Sequence, residues 1–295
     1  MVSIAVESLC SCGGCEAALL ETGEPLLEIL PEATFVQMSL LADRLPPFPR
    51  ATVGVVTGAV RRRGHPARLR AFRERVDVLV AVGACALTGG LPALRDLPGA
   101  EPDTSAHPVC TVPGPPPDPD DELLPVCSAV NEHVRVDLEL PGCPPHPDWV
   151  VECILSFMDA RTPLLPGRCV CDACPTRRSD ARPLDDTLFR MLDQPEAPPR
   201  GDLADMPCLL EQGFMCMGPV TKAGCGGRAG RPQCVSACVP CRGCHGPAQQ
   251  HPQPLADYAA ALAAAGYDPR TMPDKPGFLS RFTGVRIMDN YREKC

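Results

Sequence analysis

Cysteine is the residue whose number and spacing most favour chemistry in this chain. The sequence has 19 cysteines among 295 residues, and several of them form C-x-x-C pairs. Such a pair brings two thiolates to one turn, and a cubane [4Fe–4S] cluster needs four thiolates around one inorganic core. The pattern therefore predicts clusters that are each held by a group of four cysteines.

The cysteines are interpreted as thiols rather than as disulfides. The first ten residues, MVSIAVESLC, contain neither a basic stretch nor a twin-arginine pair of the kind that directs export. No run of about 18 apolar residues predicts a membrane-spanning helix. We therefore expect a cytoplasmic protein, in which thiols stay reduced. The odd number of cysteines also leaves at least one unpaired in any disulfide scheme.

Composition argues for a globular protein of about two domains that does not bind nucleic acid. The chain is 44% hydrophobic and carries a formal net charge of −8. Nucleic-acid binding would need a basic stripe, and the only tight basic cluster is Arg61-Arg62-Arg63, which we interpret as a solvated loop. The 37 prolines concentrate in connections such as Pro113–Pro119, which indicates long, rigid loops.

Apolar runs and helical patterns alternate in the first half of the chain. Strands are predicted at Val2–Leu9, Thr34–Leu40, Ala51–Val60, Val76–Val82 and Val134–Leu140. Helices are predicted at Glu16–Leu30, Pro66–Arg75, Asp121–His133 and Pro147–Ala160. Strands that are apolar throughout and alternate with helices indicate a parallel sheet covered on both faces. We therefore predict an α/β domain, a flavodoxin-like doubly wound parallel sheet, over residues 1–160.

Four cysteines follow strands of this predicted sheet. Cys12 and Cys15 follow the first strand, Cys85 the fourth and Cys143 the last. Ligands of doubly wound sheets bind at the carboxyl ends of the strands, so these four thiols should meet at one edge. Glycines near the cysteines let the backbone approach a bound group closely. We expect one [4Fe–4S] cluster here; four buried structural cysteines are the alternative.

Residues 161–295 are predicted to form a second, irregular domain rich in clusters. Ten positions between Arg161 and Cys244 are cysteines, and no sheet pattern is evident. A helix is predicted over the alanine-rich stretch Leu255–Tyr267, followed by a mobile tail at Tyr291–Cys295. Because such a segment lacks the pattern of a large core, we expect bound clusters to stabilise it.

Three cysteine blocks of this second half supply eight more ligands, enough for two further clusters. The blocks are Cys171-x-x-Cys174, Cys208 to Cys216, and Cys225 to Cys244 with its terminal Cys241-x-x-Cys244 pair. Paired C-x-x-C motifs also build tetrahedral zinc sites, so a zinc-stapled interaction module without a redox role is one alternative. A flavoprotein is another, although Leu9–Cys15 has three cysteines where a flavodoxin needs a hydroxyl- and glycine-rich phosphate loop.

Two stretches resemble a known family. Cys12-Gly13-Gly14-Cys15-Glu16 followed by AALL, with the later G-x-C and P-G-C-P, resembles the small subunit of [NiFe] hydrogenases, whose fold the cluster subunit of respiratory complex I shares. PCLLEQGFMCMGPVTKAGC with PCRGCHGP resembles the small subunits of cytosolic hydrogenases of the methyl-viologen-reducing and deazaflavin-reducing type. The resemblance extends from Ser3 to about Pro247.

The resemblance implies three [4Fe–4S] clusters and assigns twelve ligands to three sets. The proximal set is Cys12, Cys15, Cys85 and Cys143; the medial set is Cys225, Cys234, Cys241 and Cys244; the distal set is Cys171, Cys174, Cys208 and Cys216. Cys238 is an alternative to Cys234, because the spacing from Cys225 to Cys234 is longer than is usual in the family. The remaining cysteines are expected to be free thiols: Cys10, Cys110, Cys127, Cys153, Cys169 and Cys295.

The resemblance also implies the role of the chain, that of a subunit of an oxidoreductase complex. Electrons from H2 oxidised at a Ni–Fe site in a large-subunit partner would pass through the three clusters to an acceptor subunit. That acceptor would be linked to heterodisulfide reductase, ferredoxin-like or a flavoprotein. We do not expect this chain to hold nickel or to be catalytic alone. An iron–sulfur subunit of another oxidoreductase complex is the alternative.

Glu16 directly follows a predicted ligand at the expected subunit interface. A carboxylate in that place would suit a proton relay to the nickel site. The alternative is an acidic residue in the first turn of a helix, where the helix dipole stabilises it.

Overall fold

Seven strands and eight helices are present in the described part of the chain. In the computed structural model, the described residues are 2–38, 50–97, 120, 122–179, 187–193, 205–248, 251 and 253–284. The strands are β1 Val2–Ser8, β2 Ala33–Met38, β3 Ala51–Thr57, β4 Val60–Arg62, β5 Val76–Val82, β6 Leu123–Ser128 and β7 Leu138–Leu140. The helices are α1 Gly14–Leu20, α2 Glu24–Ile29, α3 His65–Arg73, α4 Gly83–Thr88, α5 Pro147–Met158, α6 Gln233–Ser236, α7 Pro254–Ala264 and α8 Lys275–Thr283. Short 3-10 helices cover Leu91–Asp96, Val130–Glu132, Val170–Ala173, Met191–Asp193, Gly227–Ala229 and Pro269–Thr271.

The central sheet is parallel and doubly wound. Its strand order is β2-β1-β3-β5-β7, and every neighbouring pair is parallel. Counted along the chain, this is the second-first-third-fourth-fifth order of flavodoxin-like sheets. The predicted fold class is therefore confirmed. The order reverses between β1 and β3, so a crevice is expected outside the carboxyl ends of these two strands.

Both faces of the sheet are covered by apolar side chains. Ile4 and Val6 of β1 pack on one face with helix residues such as Leu19 and Ile154. Ala5 points to the other face, which α3 covers. This two-sided burial explains why the strands have apolar residues throughout instead of alternating with polar ones.

Two predicted elements are each divided in the structure. The helix predicted over Glu16–Leu30 is two helices, α1 and α2, separated by a turn at Gly23 with φ +68°. The apolar run Ala51–Val60 is likewise two strands, β3 and β4, which meet at Gly58 with φ +79°. Glycine adopts these left-handed backbone angles without steric cost, so each glycine ends a regular element.

The helix predicted over Asp121–His133 is wrong. The described part of this segment contains strand β6 and the 3-10 turn Val130–Glu132. β6 pairs antiparallel with β4, outside the central sheet. Pro125 lacks an N–H and would interrupt a helix, but an edge strand tolerates it.

The prediction that Arg61 lies in a solvated loop is also wrong. Arg61 belongs to β4 and is only 7% exposed. Its Nη1 lies 2.6 Å from Oδ1 of Asp96, which is equally enclosed. The other oxygen of Asp96 accepts the backbone N–H of Cys127 at 2.6 Å. A buried guanidinium needs such a paired and hydrogen-bonded carboxylate, because an unpaired buried charge is costly.

The second half is irregular in its secondary structure, as predicted, but it has a larger apolar core than we expected. Leu209, Leu210, Met217, Tyr258 and Phe282 are among its buried residues. The predicted C-terminal helix is observed as α7, whereas α8 was not predicted. The tail Tyr291–Cys295 lies outside the described residues. No described helix has the length and apolar character needed to cross a membrane.

Candidate metal centres

All cysteines that the structure describes are free thiols. They number 17, and no disulfide joins any two of them. Cys110 and Cys295 lie outside the described residues. The twelve predicted ligands all lie within the described residues.

The structure brings the proximal set together at the carboxyl edge of the sheet. Cys12 follows β1, Cys15 lies in α1, Cys85 lies in α4 directly after β5, and Cys143 follows β7. Burial, together with the charges of Cys85, Cys143 and Cys12, raises the pKa of the Cys15 thiol to about 12. The four thiols therefore face one common site at the strand ends.

Glycine backbone lies against two of these sulfurs. Gly83 has φ +88°, and a Cβ on it would lie 2.3 Å from Sγ of Cys15. Gly90 has φ +53°, and a Cβ there would lie 2.7 Å from Sγ of Cys85. Any side chain at these positions would displace a thiol, whereas glycine leaves room for a group bound by the sulfurs. This arrangement fits a cluster in close contact with the backbone.

The distal set lines a cavity of about 140 Å³. All four of its predicted members contribute to the wall, namely Cys171, Cys174, Cys208 and Cys216. A Cβ on Gly218 would lie 3.2 Å from Sγ of Cys171 and 3.6 Å from Sγ of Cys216, so glycine again lies beside the sulfurs. A cavity bounded by four thiols fits a compact group that each of them ligates.

Thr176 was not singled out from the sequence, although it belongs to this cavity. Its Oγ1 lies 3.1 Å from Sγ of Cys174. The hydroxyl is a donor suited to a thiolate, and hydrogen bonds to ligand sulfurs influence the reduction potential of a cluster.

The medial set is assembled from three segments of the second half. Burial, together with the charges of Cys234 and Cys225, raises the pKa of Cys244 to about 12. Burial also raises the pKa of Cys241, with contributions from the charges of Cys216 and Cys244. Cys241 thus lies on the side of the medial set that faces the distal set.

The alternative ligand Cys238 has a different environment from Cys234. Cys238 has a left-handed backbone, with φ +56°, and it packs against the apolar core of the second half. Cys234 instead lies close enough to Cys225 and Cys244 to raise the pKa of both thiols. This placement favours Cys234, which stays the predicted ligand.

Ligands of neighbouring sets touch each other through hydrogen bonds. The backbone N–H of Cys241, in the medial set, donates to Sγ of Cys216, in the distal set, at 3.3 Å. Cys143, in the proximal set, lies close enough to Cys244, in the medial set, to shift its pKa in two ways: its charge raises the pKa, and its backbone hydrogen bond lowers it by less. These links connect the predicted proximal set to the predicted medial set, and the medial set to the predicted distal set.

The remaining described cysteines lie beside the sets or in the core. The side chains of Cys169 and Cys171 hydrogen-bond each other, which lowers the pKa of Cys169 and raises that of Cys171. Burial raises the pKa of Cys127 and of Cys153 to about 12, as expected for neutral thiols in apolar surroundings. Cys10 contributes to the raised pKa of both Cys85 and Cys127, which places it next to the proximal set.

Glu16 is buried beside the proximal set. It is 4% exposed, and its Oε1 accepts a hydrogen bond from the hydroxyl of Thr57 at 2.6 Å. Glu16 also lines a small apolar cavity together with Cys15 and Cys153, between the sheet and α5. The partner Thr57 was missed from the sequence, because only the β1–β3 pairing brings position 57 next to the first helix.

Two buried polar side chains near the medial set were also missed. Neither ring nitrogen of His245 has a hydrogen-bond partner among the described residues, and the hydroxyl of Tyr258 has none either. Burial lowers the pKa of His245 to about 4, with Ala223 opposing the shift and Lys222 adding to it. A single polar side chain near a cluster motif gives no sequence signal, so neither residue was identified.

No three His, Cys, Asp or Glu side chains within the described ranges are grouped closely enough to hold a single metal ion. Zinc would draw four ligand atoms to about 2.0–2.3 Å from one centre. A cubane is a larger group in which each thiolate binds a different iron.

Comparison with known proteins shows what the chain is related to. The family model for the NADH ubiquinone oxidoreductase 20 Kd subunit matches residues 12–157. The G subunit of the F420-non-reducing hydrogenase vhu of Methanocaldococcus jannaschii is 32% identical over the whole of both chains. The corresponding vhu protein of Methanococcus voltae is 33% identical over 96% of this chain and 95% of its own.

A solved structure shares the fold. The recombinant [NiFeSe] hydrogenase from Desulfovibrio vulgaris Hildenborough matches 85% of this chain and 95% of its own, with a TM-score of 0.54 and 20% identity. Together with the shared α/β fold, these relatives identify the chain as a hydrogenase small subunit, a component of an oxidoreductase complex. Within that class, the chain belongs to the family of F420-non-reducing hydrogenase G subunits. The resemblance predicted from the cysteine motifs is therefore confirmed.

Proposed function

We propose that this chain relays electrons between a Ni–Fe site in a hydrogenase large subunit and an electron-acceptor subunit, through three [4Fe–4S] clusters. The observation that carries the proposal is the link from set to set: the N–H of Cys241 donates to Cys216 at 3.3 Å, and Cys143 lies close enough to Cys244 to shift its pKa. When bound, each cluster supplies a one-electron carrier, which suits the transfer of two electrons from H2 one at a time.

The residues of the chain hold and shield these groups. Cys216, Cys241 and Cys244 lie where burial raises the pKa of their thiols, so iron binding must displace the thiol protons. Cys241 of the medial set and Cys216 of the distal set are buried, so water is kept from the side where these two sets meet. We propose that residues 1–160 hold the proximal cluster and residues 161–295 hold the other two.

The two ends of the relay are its more accessible members. Cys12 and Cys143 of the proximal set are exposed, as is Cys171 of the distal set. We propose that the large subunit docks at the proximal end in the cytoplasm. The acceptor would dock at the distal end, as a subunit linked to heterodisulfide reductase, a ferredoxin-like protein or a flavoprotein. The isolated chain would not be catalytic, since the Ni–Fe site belongs to the partner.

Iron and sulfide analysis tests the relay. We expect about twelve iron and twelve acid-labile sulfide per chain in the purified complex. Cys234→Ser should lower the iron to about eight, because it removes a medial ligand, while Cys238→Ser should leave about twelve. Stoichiometric zinc without sulfide would disprove the proposal. If Cys238→Ser lost the iron instead, Cys238 would be the ligand.

We propose further that Glu16 relays protons at the docking face. Its burial beside Cys15 and its hydrogen bond to Thr57 hold the carboxyl group in one position. In the complex, Glu16→Gln should slow H2 oxidation by roughly 10²-fold or more, as for other lost proton-transfer groups. The exposed Glu21→Gln, at the end of the same helix, is the control. Unchanged turnover in Glu16→Gln with full iron content would leave Glu16 as a structural residue.

A further inference from the structure

His245 is a buried polar side chain to which the electron relay gives no role. It directly follows Cys244 and is only 5% exposed. Neither ring nitrogen has a hydrogen-bond partner in the part of the chain that the structure describes. An imidazole carries at least one N–H in either protonation state, so at least one buried donor lacks an acceptor. Such a donor is costly to leave unpaired, which indicates a missing acceptor.

The ring lies beside the medial set. A Cβ on Gly224 would lie 3.3 Å from Cε1 and 3.4 Å from Nδ1 of His245, so the ring packs directly on the glycine. Gly224 immediately precedes Cys225, and Cys244 immediately precedes His245. Two of the four predicted medial ligands therefore flank the imidazole.

His245 also shares a cavity with residues next to the proximal set. His245, Ala84 and Pro141 line one small cavity of about 20 Å³. Ala84 lies next to Cys85, and Pro141 lies two residues before Cys143. The imidazole thus lies between the two sets across which an electron would pass.

Within the described ranges, no protein atom near the ring accepts its N–H. The backbone of Ala223 lies close enough to the imidazole to oppose the fall in its pKa, but its distance or angle falls short of a full hydrogen bond to either ring nitrogen. The Gly224 carbonyl already accepts the indole N–H of Trp149 at 2.7 Å. A cluster held by the medial set would bring anionic thiolates and sulfides, which accept hydrogen bonds from neighbouring donors.

The geometry points to His245 as a positioning residue that donates an N–H to a sulfur of the medial cluster and thereby raises its reduction potential. The donor stabilises the reduced form of the cluster, because reduction adds negative charge to the sulfurs. This inference rests on the proposed function, since it requires the medial set to hold a cluster.

Redox titration of the hydrogenase complex, followed by electron paramagnetic resonance, tests the inference. His245→Phe keeps a ring but removes both nitrogens. In this variant we expect the ratio of reduced to oxidised medial cluster at a fixed potential to fall about tenfold. For a one-electron couple, this corresponds to a fall of about 59 mV in the reduction potential of the medial cluster. His245→Asn or His245→Gln should restore most of the native potential of the medial cluster, since each side chain keeps an N–H donor. The proximal and distal potentials should not move.

A second measurement needs no variant at His245. In the native complex with ¹⁵N-labelled histidine, pulsed electron paramagnetic resonance should show ¹⁵N coupling to the reduced medial cluster. His146→Gln is the matched control, because His146 is the other histidine that influences the pKa of His245, and the coupling should persist in this variant. Absence of coupling, its loss in His146→Gln, or a shift confined to the proximal potential would overturn the inference.

Iron analysis distinguishes a missing medial cluster from a cluster whose potential does not depend on His245. A native complex without the medial iron and sulfide would refute the proposed function itself. Full iron content with an unmoved medial potential in His245→Phe would refute only the role of His245.

Discussion

At the scale of the residue, cysteine serves two purposes in this protein, and its surroundings distinguish them. Cys153 is packed in the apolar layer between the sheet and α5, where a neutral thiol acts as a small hydrophobic side chain. Cys15, by contrast, faces other thiols and glycine backbone. The same chemical group is thus a core residue in one place and a predicted ligand in another.

Thr176 gives a prediction at this scale. Thr176→Val removes the hydroxyl that lies 3.1 Å from Sγ of Cys174. We expect the distal potential to fall by roughly 20–60 mV, since a hydrogen bond contributes about 0.5–1.5 kcal/mol and about 59 mV corresponds to a tenfold change. Redox titration of the complex measures this shift.

Thr176→Ser is the control for that experiment, because it keeps the hydroxyl and should keep the potential. A distal potential that does not move in Thr176→Val would show that the hydroxyl does not act on the sulfur. Equal shifts at all three clusters would indicate a general structural change instead.

At the scale of the element, the junctions between strands and helices position the proximal thiols. α4 begins at Gly83, directly where β5 ends, so Cys85 lies within the first turn after the sheet. The N–H of Ala84 donates to the carbonyl of Gly142 at 2.7 Å, which ties this turn to the segment that carries Cys143. Short connections between regular elements therefore fix the thiols more tightly than a long loop would.

Gly83→Ala should disrupt the proximal site. A Cβ at this position would lie 2.3 Å from Sγ of Cys15, and φ of +88° disfavours any side chain. We expect the loss of about four iron per chain, as measured by metal analysis. The backbone strain alone should cost about 1–2 kcal/mol of unfolding free energy.

Gly89→Ala is a matched control. Its φ of +82° imposes similar backbone strain, but the atom nearest to the added Cβ is the Cβ of Ala93 and not a sulfur of the predicted proximal ligands. This variant should lose stability but keep its iron. If both variants kept their iron, the close contact between Gly83 and Cys15 would not matter for the site.

At the scale of the whole molecule, α5 joins the sheet to the cluster-rich second half. Glu152 on α5 is 5% exposed and accepts hydrogen bonds from Arg161 at 2.6 Å and from Arg228 at 3.2 Å. Trp149, one turn earlier, donates to Gly224. These contacts hold Gly224, and with it the start of the medial set, against the first half of the chain.

Glu152→Gln should weaken this connection. The hydrogen bond from Arg161, helped by Leu164 and Arg228, lowers the pKa of Glu152 from 4.5 to about 2. The carboxylate therefore stabilises the fold fully above pH 4.5, and its contribution is lost as the pH falls toward 2.

Because Arg161 and Arg228 are partly exposed to solvent, we expect Glu152→Gln to lower the free energy of unfolding by about 1–2 kcal/mol. This corresponds to a fall of roughly 2–8 °C in the unfolding midpoint at pH 7. Circular dichroism measures the midpoint, and the gap between native protein and variant should narrow below pH 4.5. The exposed Glu74→Gln should cause no such change. A pH-independent gap would mean that Glu152 acts through packing instead of charge.

The sequence by itself determined the class of fold, the relation to hydrogenase small subunits and a proposed division of twelve cysteines into three sets. These features depend on residues close together in the sequence: strands that are apolar throughout, C-x-x-C pairs, and cysteines just after the ends of strands. The features that depend on contacts between residues far apart in the sequence became clear only from the tertiary structure. Only the folded chain brings Cys241 to Cys216, Thr57 to Glu16 and His245 to Gly224.

The same physical reason explains the errors. The helix predicted in place of β6 is wrong because the strand conformation depends on pairing with β4, about sixty residues earlier. The solvated position predicted for Arg61 is wrong because Asp96, which neutralises it, is distant in sequence. Local pattern specifies which residues can ligate and which segments can pair, whereas long-range packing determines which of them meet and how far each is shielded from water.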